Sequence, residues 1–255
     1  MESWQTAITT SDETHVWTRG YDVTSLMERA TLTETFFLLH QDRLPTEDER
    51  RLIDAILIAV LNDGPSAPSA AAARIVASGN RQSMEAAIAA GVLAIGDVHG
   101  GAGTACMQEI KACLDHVRRD SISIQEAANW AIAEALVHDR RIPGLGGRNQ
   151  DRDPRVDALF RMARERGLAR DGIAVIEALE MAARENIRLL PINLEGAVAA
   201  VLIDLGFHPS MASVIFIVGR VAGLTAEVLE EYSREKPMHV RIPVAYDGHL
   251  PRRLE

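Results

Sequence analysis

The chain has 255 residues, 47% of them hydrophobic and only 4% aromatic, enough apolar material for one large domain or two small ones. Its net charge of −9 argues against a general nucleic-acid binder. No segment joins a basic start, an apolar stretch and a small-residue cleavage site, so a cytoplasmic protein without a membrane partner is expected.

Residues 1–23 read as irregular, with Gly20-Tyr21-Asp22 as a turn. The spacing of Leu26, Met27, Ala30, Phe37 and Leu38 predicts one helix over 24–40. Arg43-Leu44-Pro45-Thr46 breaks it, and Thr46 with Glu49 forms a capping box for a helix over 47–61. After a loop over 62–68, a third helix ends near Ser78. Two more, over 83–94 and 104–118, flank a glycine-rich junction, and another covers 124–137. Asp153-Pro154-Arg155 reads as the cap and first turn of the next helix. A helix over 171–190 stops at Pro191-Ile192-Asn193, and Asn193 caps a helix over 194–205 that Gly206 closes. The last long helix spans 210–234; its apolar run is interrupted by Arg220 and reads as buried rather than membrane-spanning. The tail after Pro237 is strand-like or irregular. No stretch alternates as a sheet requires and no period repeats, so the expected fold is all-α.

The junction is Gly96-Asp97-Val98-His99-Gly100-Gly101-Ala102-Gly103. His99 there lies near the positive end of a helix dipole, which disfavours imidazolium, and glycines beside it let a ligand approach the backbone. A neutral imidazole so held can polarise a carbonyl; the alternative is a plain cap and loop with His99 on the surface. Cys106 and Cys113, seven residues apart in one helix, lie about 10 Å from each other, too far for a disulfide. They read as reduced core residues without metal-ligand company, no metal site is expected, and no phosphate-binding glycine loop is present.

Between Arg140 and Arg170, nine Arg face three Asp and one Glu, a local +5 that reads either as a polyanion site or as a solvated helix face. Within it, Ile142-Pro143-Gly144-Leu145-Gly146-Gly147 is a bare-backbone loop. Glu195 sits in a first helical turn, where the dipole favours an acid; the same position suits a general base, which must be ionised. Arg220 lies on an apolar helix, so it needs a protein carboxylate or an anionic ligand, with the ligand reading preferred. Lys236, one of two lysines, says nothing alone.

These pieces in this order resemble the citrate synthase superfamily. The resemblance rests on Leu38-Leu39, on Arg43-Leu44-Pro45-Thr46 and the acids after it, and on Ala73-Arg74 with Ala77-Ser78. It continues through Asp97-Val98-His99-Gly100-Gly101-Ala102, the loop over 142–146, Asp153-Pro154-Arg155, Pro191-Ile192-Asn193-Leu194-Glu195-Gly196 and Arg220-Val221-Ala222-Gly223. The short length and the Pro-Ile-Asn-x-acid-Gly form are closest to citryl-CoA lyases, including the lyase module of ATP-citrate lyase. The resemblance implies an all-helical homodimer, with residues 1–100 and 200–255 forming a large domain and 101–199 a small, CoA-binding one. His99 matches the histidine that holds the thioester oxygen as the enol forms, and Glu195 the acid that moves the α-proton. Arg155 and Arg220 match arginines that grip carboxylates of the oxo acid; Lys236 matches a basic residue reaching across the dimer. Ile142, Pro143, Gly144, Leu145 and Gly146 match the loop that receives the adenine end of CoA.

The departures lie on the oxo-acid side. Gly147 stands where the family has a histidine that activates the carbonyl, and Ala71 where a further ring lines the site. The expected function is making or breaking a carbon–carbon bond between an acyl-CoA and an oxo acid other than oxaloacetate. CoA is then part of the substrate, no cofactor is tightly bound, and Arg148 or Asn149 replaces the lost histidine. The alternative is a diverged homologue that binds a CoA thioester or carboxylate without turnover.

Overall fold

A computed structural model describes residues 3–147, 153–249 and 252–253. The described residues form the helices α1 Val23–Arg29, α2 Leu32–Gln41, α3 Glu47–Val60, α4 Pro68–Gly79, α5 Met84–Leu93, α6 Ala102–Asp120, α7 Ile124–Val137, α8 Pro154–Glu165, α9 Asp171–Asn186, α10 Leu194–Asp204 and α11 Met211–Arg234. Their starts follow local chemistry. Thr46 and Glu49 close a reciprocal capping box on α3, as do Ser123 and Glu126 on α7. Asp153 accepts from the Arg155 N–H to open α8, and Asn193 from the Gly196 N–H to open α10. Caps of this kind stabilise a helix by about 1 kcal/mol.

Three expectations are corrected. The N-terminal segment is not irregular: β1 Thr9–Ser11, β2 Val16–Thr18 and β3 Tyr21–Asp22 form a small antiparallel sheet in that order. Ser11 pairs with Val16 and Thr18 with Tyr21, and Arg19 and Gly20 both take positive φ in the second turn, as a two-residue hairpin requires. The helix expected over 24–40 is two helices. Thr31 turns to extended geometry to form a capping box with Glu34, and that break outcompetes the continuous apolar spacing. The helix expected to reach residue 190 ends at Asn186. The chain then runs beside the 142–147 loop, where Gly146 N–H donates to the Pro191 carbonyl.

The buried side chains gather in two clusters. One joins α2, α3 and α6 to α10 with the start of α11, around Phe37, Ile53, Met107, Phe160 and Leu179. The other is small and Ala-rich, pressing Ala70, Ala73, Ala77 and Ala87 of α4 and α5 against Leu224 and Val228 of α11. Phe216 belongs to the first and Leu224 to the second, so Arg220 stands on α11 where the two clusters meet. Helix α11 is long and apolar enough to cross a membrane, yet Ile215, Phe216, Leu224 and Val228 along it are buried in the protein. A close crossing sets the depth of Arg220. A Cβ on Gly223 would collide with the Leu61 carbonyl, so glycine there lets α11 pass directly against the end of α3.

Cys106 and Cys113 are buried free thiols. Burial pushes the Cys113 thiol up to about 12 and Cys106 further in the same direction, which leaves both unreactive.

Candidate active site

The junction before α6 is a tight turn closed by Gly96 N–H to His99 O (2.9 Å) and His99 N–H to Gly96 O (3.2 Å). Gly100 has φ +80°, and a Cβ there would strike the Phe216 ring. Glycine is therefore required to fit the turn against α11. Gly100→Ala is expected to lower stability by about 1–2 kcal/mol, the cost of a left-handed residue, before any displacement of Phe216; urea unfolding checks it. The His99 ring packs edge-on against Phe216, with centroids 5.9 Å apart. Its Nε2 accepts from the Ser69 N–H (3.3 Å) and lies 2.9 Å from Ser69 Oγ. With Nε2 accepting, a neutral ring carries its proton on Nδ1, the donor that a thioester oxygen needs.

Glu195, in the first turn of α10, accepts from the Gly100 N–H through Oε1 at 3.0 Å. That bond spans 95 residues and places the carboxylate beside the residue that follows His99. Burial raises the proton affinity of Glu195 and the nearby Asp63 charge adds to it; the Gly100 N–H and Arg220 pull the other way, and the balance is upward. Such a carboxylate is a stronger base than an exposed one. Its helix is anchored to the 142–147 loop. Asn193 N–H donates to Gly144 O (3.0 Å), Asn193 Nδ2 to Gly146 O (2.8 Å), and the Gly144 and Gly196 backbones pack in contact. Ile142 and Gly144 are buried; Pro143, Leu145 and Gly146 are half-buried.

Arg220, 1% exposed, donates through Nε to Val60 O (3.0 Å), through Nη2 to Asp63 Oδ2 (2.6 Å) and weakly through Nη1 to Ser69 Oγ (3.5 Å). Its guanidinium covers the Phe216 ring at 4.8 Å. Arg155 donates through Nη1 to the other oxygen of Asp63 (2.7 Å) and to Ala59 O (2.9 Å), while Nε and Nη2 hold Asp153. One carboxylate thus bridges both arginines. Burial works to raise Asp63, but the bonds from Arg155 and Arg220 outweigh it and keep the group below the usual carboxylate range. Through Ser69, Arg220 is linked to His99, so His99, Glu195, Asp63, Arg155 and Arg220 form one contiguous site.

The structure thus brings together His99, Glu195, Arg155 and Arg220 from four separate stretches. Lys236 is exposed just beyond α11 and is not brought to this cluster within the chain. Gly147 is exposed with open space around it, and Arg148 and Asn149 lie outside the described residues. Within the Arg-rich stretch, Arg140, Arg155, Arg161, Arg164 and Arg166 each lie against a carboxylate. The sequence reading missed Asp63, Ser69 and Phe216. The signal for Asp63 was the buried Arg220, which needed a carboxylate; the Asn62-Asp63-Gly64 loop supplies it. A small apolar cavity of about 10 Å3 lies beside Glu195, walled by Val60, Leu194, Val198, Ala212 and Phe216. A larger one, about 380 Å3, lies elsewhere between Arg43, Arg118, Arg170 and Asp204. Asp204 there already accepts from the N–H groups of Arg170, Gly172 and Ile173.

Residues 45–241 match the family model described as citrate synthase, C-terminal domain. A solved structure of citryl-CoA lyase from Hydrogenobacter thermophilus superposes with a TM-score of 0.90 at 34% identity, covering 100% of this chain and 98% of that one. The 2-methylcitrate synthase of Mycobacterium tuberculosis is 31% identical over 193 residues, 72% of this chain and 44% of that protein. The citrate synthase of Heyndrickxia coagulans is 27% identical over 241 residues, 90% of this chain and 59% of that protein. The chain therefore spans about half the length of these curated relatives.

Proposed function

Because the chain belongs to the citrate synthase family, we propose that it makes or breaks a carbon–carbon bond between an acyl-CoA and the carbonyl carbon of an oxo acid. The observation that carries this reading is the bond from the Gly100 N–H to Glu195, which sets a half-buried carboxylate of raised proton affinity beside the residue that follows His99. The full-length likeness to a citryl-CoA lyase supports it. In synthesis, Glu195 removes the α-proton of the thioester, and His99 Nδ1–H stabilises the charge that moves onto the thioester oxygen. The enol then attacks the carbonyl, whose oxygen takes a proton from solvent and becomes the hydroxyl of the product. In cleavage the 3-hydroxyl gives its proton to solvent, the carbon–carbon bond breaks to leave the oxo acid and the enolate of the acyl-CoA, and protonated Glu195 returns its proton to the α-carbon. Arg155 and Arg220 orient the oxo acid through its carboxylate.

The 142–146 loop is the proposed seat of the adenine end of CoA. A division into a body of 1–100 with 200–255 and a body of 101–199 puts His99 and Arg220 on one side of the cleft and Arg155 and Glu195 on the other. Incubating the protein with acetyl-CoA or longer acyl-CoA and a panel of oxo acids tests the reaction directly. Mass spectrometry is expected to find a 3-hydroxyacyl-CoA whose mass is the sum of both substrates. No adduct and no cleavage of such thioesters across the panel would refute it.

A homodimer in which Lys236 completes the neighbouring site is part of the same proposal. Mixing an inactive His99→Ala subunit with an inactive Lys236→Ala subunit is expected to restore activity, since one hybrid site then holds both groups. Proven subunit exchange without recovery would make Lys236 an ordinary surface residue.

A further inference from the structure

Beyond α11 the chain turns at Lys236-Pro237-Met238, with Met238 at φ +58°, and brings His239 back against the helix. Several contacts hold this turn. Met238 N–H donates to Ser78 O (3.0 Å), Arg81 donates to the carbonyls of Glu231 and Glu235 (2.8 Å each), and His239 Nε2 lies 2.8 Å from Glu231 Oε1. The last contact has a fully buried partner. Glu231 is 0% exposed; its Oε2 lies 3.2 Å from Arg74 Nη2 without a hydrogen bond, and Arg74 also serves Glu227 at 2.8 Å. Among the described residues, His239 is therefore the only hydrogen-bond donor to the Glu231 side chain. A carboxylate only accepts, so His239 Nε2 carries the proton of this bond. A buried carboxylate oxygen left without its donor is costly, and that cost holds the imidazole in place. Past His239 the described chain makes no further hydrogen bond to the helices. Ile242, Val244 and Tyr246 are exposed, and Tyr246 OH donates to His249 O within the arm itself.

We propose that His239 is a positioning residue for the neighbouring subunit's site: its bond to Glu231 fixes the turn that carries Lys236, and so the point from which that cation reaches across the dimer. Lys236 is exposed and has no partner among the described residues, so its placement depends on the turn. A lysine is a point charge on a flexible stem, and a displacement of about 1 Å in a positioning group can cost about 100-fold in rate. The inference rests on the reading of Lys236 as a group that completes the partner's site.

Two assays on His239→Ala test it. Exchange of acyl-CoA α-protons uses His99 and Glu195 and needs no oxo acid, whereas adduct formation also needs the side of the site that Lys236 completes. His239→Ala is expected to lower kcat/KM for the oxo acid at least about tenfold and to leave exchange within about threefold of wild type. His239→Gln, whose amide N–H can still donate to Glu231, is expected to keep at least about a third of wild-type kcat/KM. Mixing His239→Ala with His99→Ala subunits gives hybrids in which one site has both a native His99 and a native arm. Activity is then expected to rise severalfold above the mean of the two proteins measured separately. A merely structural role within its own subunit would lower both assays together and leave the mixture at that mean. Either result overturns the proposal, as does an unchanged kcat/KM in His239→Ala or a His239→Gln no better than His239→Ala. Should His239→Ala not fold, His239→Leu fills the space without the donor and takes its place in every arm. The Lys236→Ala and His99→Ala mixture separates the two readings. Recovery there but not with His239→Ala leaves the shared site standing and removes His239 from it. Recovery in neither sinks the shared site and the proposal together, and a wild type without exchange or adduct sinks the functional reading.

Discussion

Glu195→Gln is expected to lower turnover by about 100-fold or more while leaving the fold intact, and His99→Ala to cost a similar factor. The glutamine keeps an oxygen to accept the Gly100 N–H bond but cannot take up a proton at neutral pH. His99→Ala removes the thioester-oxygen donor, a loss of about 2.7–4 kcal/mol in transition-state stabilisation. Stability moves the other way for Glu195. Burial raises its folded-state affinity for a proton, so the folded protein binds more protons than the unfolded chain between the two values. Its stabilising contribution is therefore complete below the ordinary glutamate range and is lost as pH rises through the raised folded value. Above that window Glu195→Gln is free of the burial cost and should melt at the same temperature as wild type or higher. The pH–rate profile has a matching sign: enolisation needs ionised Glu195, so its acidic limb should lie above the usual carboxylate range. A large drop in melting temperature for Glu195→Gln, or wild-type rates in both variants on a verified substrate, would contradict this assignment.

Arg220→Ala is expected to destabilise the protein by about 3 kcal/mol, and Arg155→Ala by about 1 kcal/mol or less. The two arginines share Asp63 but not their surroundings. Arg220 is 1% exposed, and its loss strips the Val60 carbonyl and Asp63 of a partner and opens a void under Phe216. Arg155 is 37% exposed, and Asp63 keeps Arg220 when it goes. Urea unfolding of the two variants measures the contrast. Equal costs would mean that Arg220 contributes no more than a surface pair. Activity should fall in both, since both hold the carboxylate end of the oxo acid in the proposed reaction.

Legibility in the sequence followed the range of the interaction. The caps made by Thr46, Asp153 and Asn193 were readable because both partners lie within three residues. The glycine turn before α6 and the long apolar helix around Arg220 were readable from composition and order alone. The two three-residue strands, β1 and β2, were too short to show alternation, and the break at Ala30 was masked by apolar spacing on both sides of it. The site was half readable. His99, Glu195, Arg155 and Arg220 carried chemical signals of their own, but what connects them is non-local: Ser69 is 30 residues from His99, and Asp63 is 92 from Arg155 and 157 from Arg220. The Arg-rich stretch was open to two readings for the same reason, because Glu109 and Glu177 lie outside the window that seemed so strongly positive.

The central claim is that His99 and Glu195 together enolise a CoA thioester, and exchange in deuterated buffer tests it most directly. Acetyl-CoA, or whichever acyl-CoA raises the melting temperature, is incubated with the protein and no oxo acid, and its mass is followed over time. A ligand present at 100 times its Kd should stabilise by about 2.7 kcal/mol, which identifies a thioester that occupies the site. The account predicts progressive deuterium uptake at the α-carbon with wild type and a rate at least about 100-fold lower with Glu195→Gln. A thioester that binds yet never exchanges, or one that exchanges equally fast with Glu195→Gln, would contradict it.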